Sequence, residues 1–332
     1  MEIIYPEKLP VATASASDKS HTVTKENDRI LLPKGDVRLD ENLGGYYIDL
    51  SQSIIHYTDG IFGEFDKNGV PMVGWGKEAC YYPTTIAQYG FILNERWRRD
   101  NSLTDYLEKM NACLDWLESN KEDFKGTFVW RQPKADSHYH LKPNWASAMT
   151  QGEVISFYLR MFQLGGDKSL LETAQKAYEF MKFDVSEGGV RRYDLDGNLW
   201  FEEYPTEEPS LVLNGFIYAL FGLYDLYRVT KSEIVKKDID ACVKTLKENI
   251  AKYDTGYWSL YDRMHKELVK YYYQKNVHTP QLEALYDLTG EEIFKFYAAK
   301  WRKYVNPFNF AIVQIMYRVS PRMKKLKGLL KK

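Results

Sequence analysis

From about residue 81 onward the chain repeats one unit. A broadly apolar, aromatic-rich helical segment is followed by an amphipathic one, and the pair recurs at roughly sixty-residue spacing. Tyr82–Arg99 and Ser102–Ser119 form the first pair, and Asn144–Leu164 and Ser169–Lys182 the second. Ser210–Val229 and Ser232–Tyr253 form the third, and Thr279–Thr289 and Glu291–Val305 the fourth. The local signals agree. Pro83 suits a first helical turn. Leu103, Leu107, Met110, Leu114 and Leu117 return at helical spacing. Gly165-Gly166 and Gly290 are stop signals. A helix apolar all round is buried, whereas one with a polar face lies outside. Four such pairs predict a mainly α chain: an α/α toroid, an incomplete barrel of about four helical hairpins whose inner helices are ringed by outer ones.

Two segments interrupt the helices, 187–206 and 254–276. Both follow an outer helix and precede an inner one, so in a toroid they gather on one face, around the central cleft, which is the default site. In the first, Asp196-Gly197 lies between two strand-like runs and predicts a β-hairpin. Pro205 disfavours helical backbone at Tyr204, so Glu202–Tyr204 is expected to be extended and to deliver two carboxylates and a phenol to the mouth of the next helix. The remaining organisation reads as an irregular polar arm over 1–42, a small β- or loop-rich region over 43–80, the barrel over 81–306 and a tail over 307–332. The small region has a strand candidate at Tyr46–Leu50 and an Asn68-Gly69 turn. The tail is apolar, then basic, a pattern suited to peripheral contact with an anionic membrane surface.

The formal net charge is -1, which argues against nucleic acid as a partner. Aromatic residues reach 15%, an excess that suits stacking on sugar rings. Cys80, Cys113 and Cys242 are far apart and odd in number, which predicts free thiols in a reducing compartment. The sequence begins with no apolar signal core and contains no run long enough to span a bilayer, so the expected location is cytoplasmic, peripheral at the inner membrane face through the tail. No Cys/His cluster has metal-ligand spacing, and His138-Tyr-His140 reads as polar surface.

Several blocks carry a resemblance. They are Trp75-Gly76, Tyr82-Pro83, Ile86-Ala-Gln-Tyr-Gly90, Trp145-Ala-Ser-Ala-Met-Thr-Gln-Gly152, Glu202-Glu-Tyr-Pro-Thr206, Leu213-Asn-Gly-Phe-Ile-Tyr218 and Tyr253-Asp-Thr-Gly256 with Tyr261-Asp262. In this order they resemble the D-glucuronyl C5-epimerase family. The resemblance implies an α/α barrel that inverts C5 of a hexuronate within an oligo- or polysaccharide, D-glucuronate to L-iduronate, without a cofactor or metal. It also implies a homodimer, as in animal members. The catalytic residues it implies are Glu203, Tyr204, Tyr261 and a further tyrosine upstream of His278. Strict spacing puts Gln274 at that last position; Tyr273 is the expected residue and Tyr272 the reserve. Substrate contacts are expected at Tyr82, Gln88, Trp145, Gln151, Arg192, Asn214, Tyr218, Arg263 and His278. Gln88, Gln151 and Asn214 sit in apolar helical stretches, where a buried amide needs partners. The competing readings are a uronate lyase on the same fold, an inverting glycoside hydrolase using Glu203 with Glu207 or Asp262, and a glycan-binding toroid without catalysis.

Overall fold

The computed structural model describes residues 30–329, with side chains to residue 319. Four helical hairpins follow one another: α1 Pro83–Arg99 with α2 Thr104–Ser119, α3 Ala148–Gly165 with α4 Lys168–Met181, α5 Leu213–Thr230 with α6 Glu233–Asn249, and α7 Thr279–Thr289 with α8 Glu292–Tyr304. Each first helix packs against its own partner, and α1, α3 and α5 pack side by side. The molecule is an α/α toroid.

Burial follows the hydrophobic pattern. Around α3 every residue from Thr150 to Met161 is buried, and so is every residue of α5 from Leu213 to Leu223. The outer helices bury one stripe: Leu170, Ala174, Ala177 and Met181 in α4, then Val235, Ile239, Cys242 and Leu246 in α6. Glycine sets the spacing of α3 and α5. A Cβ added to Gly222 would stand 2.5 Å from the Cα of Gly152, so the two inner helices touch backbone to backbone.

Three two-stranded antiparallel ribbons decorate the ring: β1 Glu122–Phe124 with β2 Thr127–Val129, β3 Arg131–Gln132 with β4 Trp145–Ala146, and β5 Arg191–Tyr193 with β6 Leu199–Phe201. The last is the expected hairpin, but its loop has three residues, Leu195-Asp196-Gly197. Asp194 and Asn198 pair across it, and Gly197 takes φ +77°. The helix expected from Asn144 starts at Ala148, because Trp145-Ala146 pairs with Arg131-Gln132 instead. The first ribbon was not foreseen. Its turn, Lys125-Gly126, has positive φ at both residues, 54° and 83°, which is a primed hairpin turn.

Ends and entry differ from the sequence reading. Residues 1–29 of the expected arm lie outside the described part. Its remainder is irregular but tied into the core through the buried Ile30 and Leu32, and in the 43–80 region after it Leu43, Tyr46, Tyr47 and Ile48 are buried. Tyr46–Leu50 is no strand and makes only an isolated bridge, Lys34 to Ile48. The tyrosines occupy the ring interior. Tyr46 stacks on Phe91 of α1 at 3.9 Å, and Tyr47 donates to the buried Asp225, which also accepts from Arg160 at 2.6 Å. The tail is a helix, α9, over Pro307–Leu329, and its first turns are core. Val313 is buried, and the Tyr317 hydroxyl donates to the Val269 carbonyl. Cys80, Cys113 and Cys242 are free thiols. Among the described residues no helix is long and apolar enough to cross a membrane.

Candidate active site

One mouth of the ring opens into a cleft of about 320 Å³ that Tyr82, Gln88, Trp145, Glu203, Tyr204 and Tyr273 line together with Lys134 and Asp136. A second chamber of about 170 Å³ adjoins it, sharing Gln88, Met149 and Tyr273 and adding His56, Asn214, Tyr218 and Tyr272. The elements place these groups for local reasons. Adjacent side chains of an extended strand point to opposite sides, so Glu202 and Glu203 part company. Glu202 turns inward, pairs with Arg192 at 2.9 Å and accepts from Ser210 at 2.6 Å and from the Leu211 N–H. Glu203 turns to the cleft and lies against the start of α5. A Cβ on Gly215 would stand 2.1 Å from its Oε2, so only glycine lets the carboxylate come this close to the helix N-terminus.

Glu203 is the hub. Its Oε1 accepts the Tyr261 hydroxyl at 3.2 Å, and its Oε2 lies 3.5 Å from Asn214 Nδ2. Burial lifts its carboxyl to about 7, against the pull of the Tyr261 and Tyr204 hydroxyls, which lower it. Burial also pushes the Tyr204, Tyr261 and Tyr273 phenols well up, and the Glu203 charge adds to each rise. Tyr82 rises to about 12 for the first of these reasons. At neutral pH the phenols are therefore proton donors, while Glu203 is poised near its midpoint.

Rings build the walls. Tyr204 lies between Trp145, at 5.1 Å, and Tyr139, stacked at 4.0 Å. Tyr261 meets Tyr273 edge-on at 5.7 Å. A π-helical stretch, Gln274–His278, follows Tyr273 directly. A π-turn holds one residue more than an α-turn. Gln274 faces the core, where it accepts from the Ser259 hydroxyl at 2.6 Å and donates to the Trp301 carbonyl.

Other expected contacts lie away from the cleft. Gln151 is fully buried and spends its amide on the backbone of Trp130, Phe128 and Ala177. Arg192 braces the hairpin through Glu202 and the carbonyls of Thr206 and Glu207. Arg263 donates to the Lys252 carbonyl and lies over the Tyr253 ring. His278 is buried beside Ser259, 2.9 Å away, and Trp301. None of the four lines either chamber.

Conversely, sequence reasoning missed Tyr139, Lys134, Asp136 and Glu153. Tyr139 donates to Asp262 at 2.5 Å, a contact across 123 residues that no local pattern announces. Glu153 is fully buried, accepts from Gln88 at 2.9 Å, and has its carboxyl pushed well up by burial.

The fold and cleft define an α/α toroid with a carboxylate–tyrosine centre. A family model described as the D-glucuronyl C5-epimerase C-terminus matches residues 122–303, and the chain belongs to that family. It is 35% identical over 215 residues to the D-glucuronyl C5-epimerase of Caenorhabditis elegans, covering 58% of this chain but 34% of that one. The chain thus spans about a third of that relative's length. It is 32% identical over 290 residues to an uncharacterised protein of Methanocaldococcus jannaschii, covering 78% of this chain and 93% of the relative. Among solved structures, an α-mannanase of glycoside hydrolase family 76 from Bacteroides thetaiotaomicron superposes with a TM-score of 0.52 at 10% identity, over 88% of this chain and 84% of that one. That likeness is one of fold alone.

Proposed function

We propose that this chain epimerises a hexuronate at C5 within a glycan, D-glucuronate to L-iduronate, without an added cofactor. The observation that supports this reading is Glu203, buried with its carboxyl near 7 and ringed by the Tyr204, Tyr261 and Tyr273 phenols. The C5 proton is only weakly acidic. Its removal pushes an electron pair onto the adjacent carboxylate, so that group must be neutralised as charge develops. Lys134 is the cation among the cleft-lining residues, and its Nζ donates to the Glu78 carbonyl at 2.9 Å. In the proposed step Glu203 takes the C5 proton on one face, and the C5–H electrons pass into an enediolate held by Lys134 and phenol hydroxyls. A neutral phenol, assigned to Tyr273, returns a proton to C5 from the other face. The phenolate then regains its proton from solvent as Glu203 releases its own. A base matched to neutral pH and a donor on the opposite side are what inversion requires.

Glu207 lies outside the cleft lining and Asp262 is engaged by Tyr139, so neither expected partner pairs with Glu203 in the cleft, and Asp136 is the other carboxylate in its lining. The experiment is C5 exchange in heavy water with unsulfated and N-sulfated heparosan oligosaccharides, read by NMR, with ultraviolet absorbance recorded in parallel. Deuterium at C5 with new iduronate signals is the expected result, and Tyr261→Phe and Glu203→Gln should each lower the rate by about 10²- to 10⁴-fold. Unsaturated uronate in the ultraviolet would replace epimerisation with elimination. No exchange at C5 of either substrate would sink the proposal.

A further inference from the structure

Two loops meet beside the cleft, 136–141 and 262–267. They bring His138, Asp262 and His265 together, with one donor atom from each lying within 4.8 Å of the others. His265 Nδ1 stands 3.3 Å from Asp262 Oδ2. Two ligands each about 2.0–2.1 Å from a tetrahedral ion are separated by roughly 3.4 Å, so this pair is already at ligand spacing. The His138 ring lies over the His265 ring at 4.1 Å, and His138 Nε2 is 3.6 Å from Glu267 Oε2, which puts a second carboxylate at the rim.

The carboxylate is held from behind. Asp262 Oδ1 accepts the backbone N–H groups of His265 at 2.6 Å and Lys266 at 2.9 Å, and Oδ2 accepts the Tyr139 hydroxyl at 2.5 Å. Outer hydrogen bonds of this kind orient metal ligands. Each carboxylate oxygen has two acceptor positions; on Oδ2 one takes the Tyr139 hydroxyl and the other faces His265 Nδ1, where a bound ion would stand in place of a proton. His138 is about half exposed, whereas Asp262 is fully enclosed.

We infer that His138, Asp262 and His265 form a binding site for a divalent transition-metal ion of the zinc or cobalt type, with Glu267 or water completing the shell. Two imidazoles and one carboxylate suit borderline ions and not magnesium or calcium, which take oxygen shells. The bound ion ties the two loops together. Through the Tyr139 hydroxyl and the Tyr139–Tyr204 stack, it stiffens one wall of the cleft. The site stands independently of the chemistry proposed above.

The test uses the full chain, stripped with a chelator and titrated with Co²⁺, then Zn²⁺. Bound cobalt is expected to give visible ligand-field bands that Zn²⁺ abolishes, and Zn²⁺ is expected to raise Tm. His138→Ala should weaken binding by at least about tenfold. His140→Asn, at the neighbouring imidazole, should leave it unchanged. His138 lies at the surface, so its replacement keeps the fold, which circular dichroism would verify; His265→Ala supplies a second reading. Absence of ligand-field bands, or cobalt binding that survives both His138→Ala and His265→Ala, overturns the site.

Discussion

Glu203 couples the cleft to stability. Its carboxyl titrates near 4.5 when unfolded and near 7 when buried, so between those values the folded chain holds more protons than the unfolded one. Stability from this group is present below pH 4.5 and lost as pH rises through 7. The shift corresponds to about 3 kcal/mol at most. Glu153 and Glu202 are raised by burial too and act with the same sign. Chemical denaturation at pH 5 and pH 8 should therefore show wild type losing stability across the window, and Glu203→Gln losing less. Equal losses would mean that Glu203 does not carry a raised carboxyl. What was legible at this scale was residue type. Gln88, Gln151 and Asn214 were read as buried amides needing partners, and each has one. Which partner was not legible. Gln88 reaches the buried Glu153 carboxylate, whereas Gln151 is absorbed by three backbone groups, a choice made by neighbours distant in sequence.

Among the elements, the π-helical stretch sets the geometry most sharply. Helical periodicity recovered α1 to α8 to within a few residues, because each carries its own apolar stripe and stop signal. It missed the π-helical stretch altogether: 254–276 reads as an irregular or β insertion, whereas Tyr271–Tyr273 is α-helical and Gln274–His278 π-helical. A π-turn takes one residue more than an α-turn, so deleting Lys275, only partly buried, returns the stretch to α register and leaves Tyr273 on the same bearing to His278. The deletion variant should keep its helical circular dichroism and stay within about tenfold of wild type in C5 exchange, whereas Tyr273→Phe falls further. A fall to the level of Tyr273→Phe would show that the bulge itself places Tyr273. The Lys125-Gly126 hairpin was missed for a different reason: its strands are three residues long, too short for alternation to stand out.

At the scale of the whole molecule, the ring was legible and its filling was not. A toroid follows from repeated inner and outer helices, but nothing periodic marks Tyr46 and Tyr47 as rings that pack against the inner helices, or the start of α9 as part of the body. The start of the tail packs on the body: Val313 is buried, Phe310 meets Tyr271 at 4.8 Å, and the Tyr317 hydroxyl donates to the Val269 carbonyl. These contacts brace the turn that leads directly into Tyr272 and Tyr273. A chain ended at Val319 keeps them, and one ended at Phe310 loses the Val313 and Tyr317 contacts. Losing one buried aliphatic side chain (about 1.5–3 kcal/mol) and one hydrogen bond (about 0.5–1.5 kcal/mol) should destabilise the shorter chain by about 2–4 kcal/mol. It should also lower C5 exchange, because Tyr273 loses its support. The longer truncation should match the full chain in both measurements, whether or not the basic residues beyond it touch an anionic surface. Equal Tm values for the two truncations would show that α9 is a surface appendage throughout.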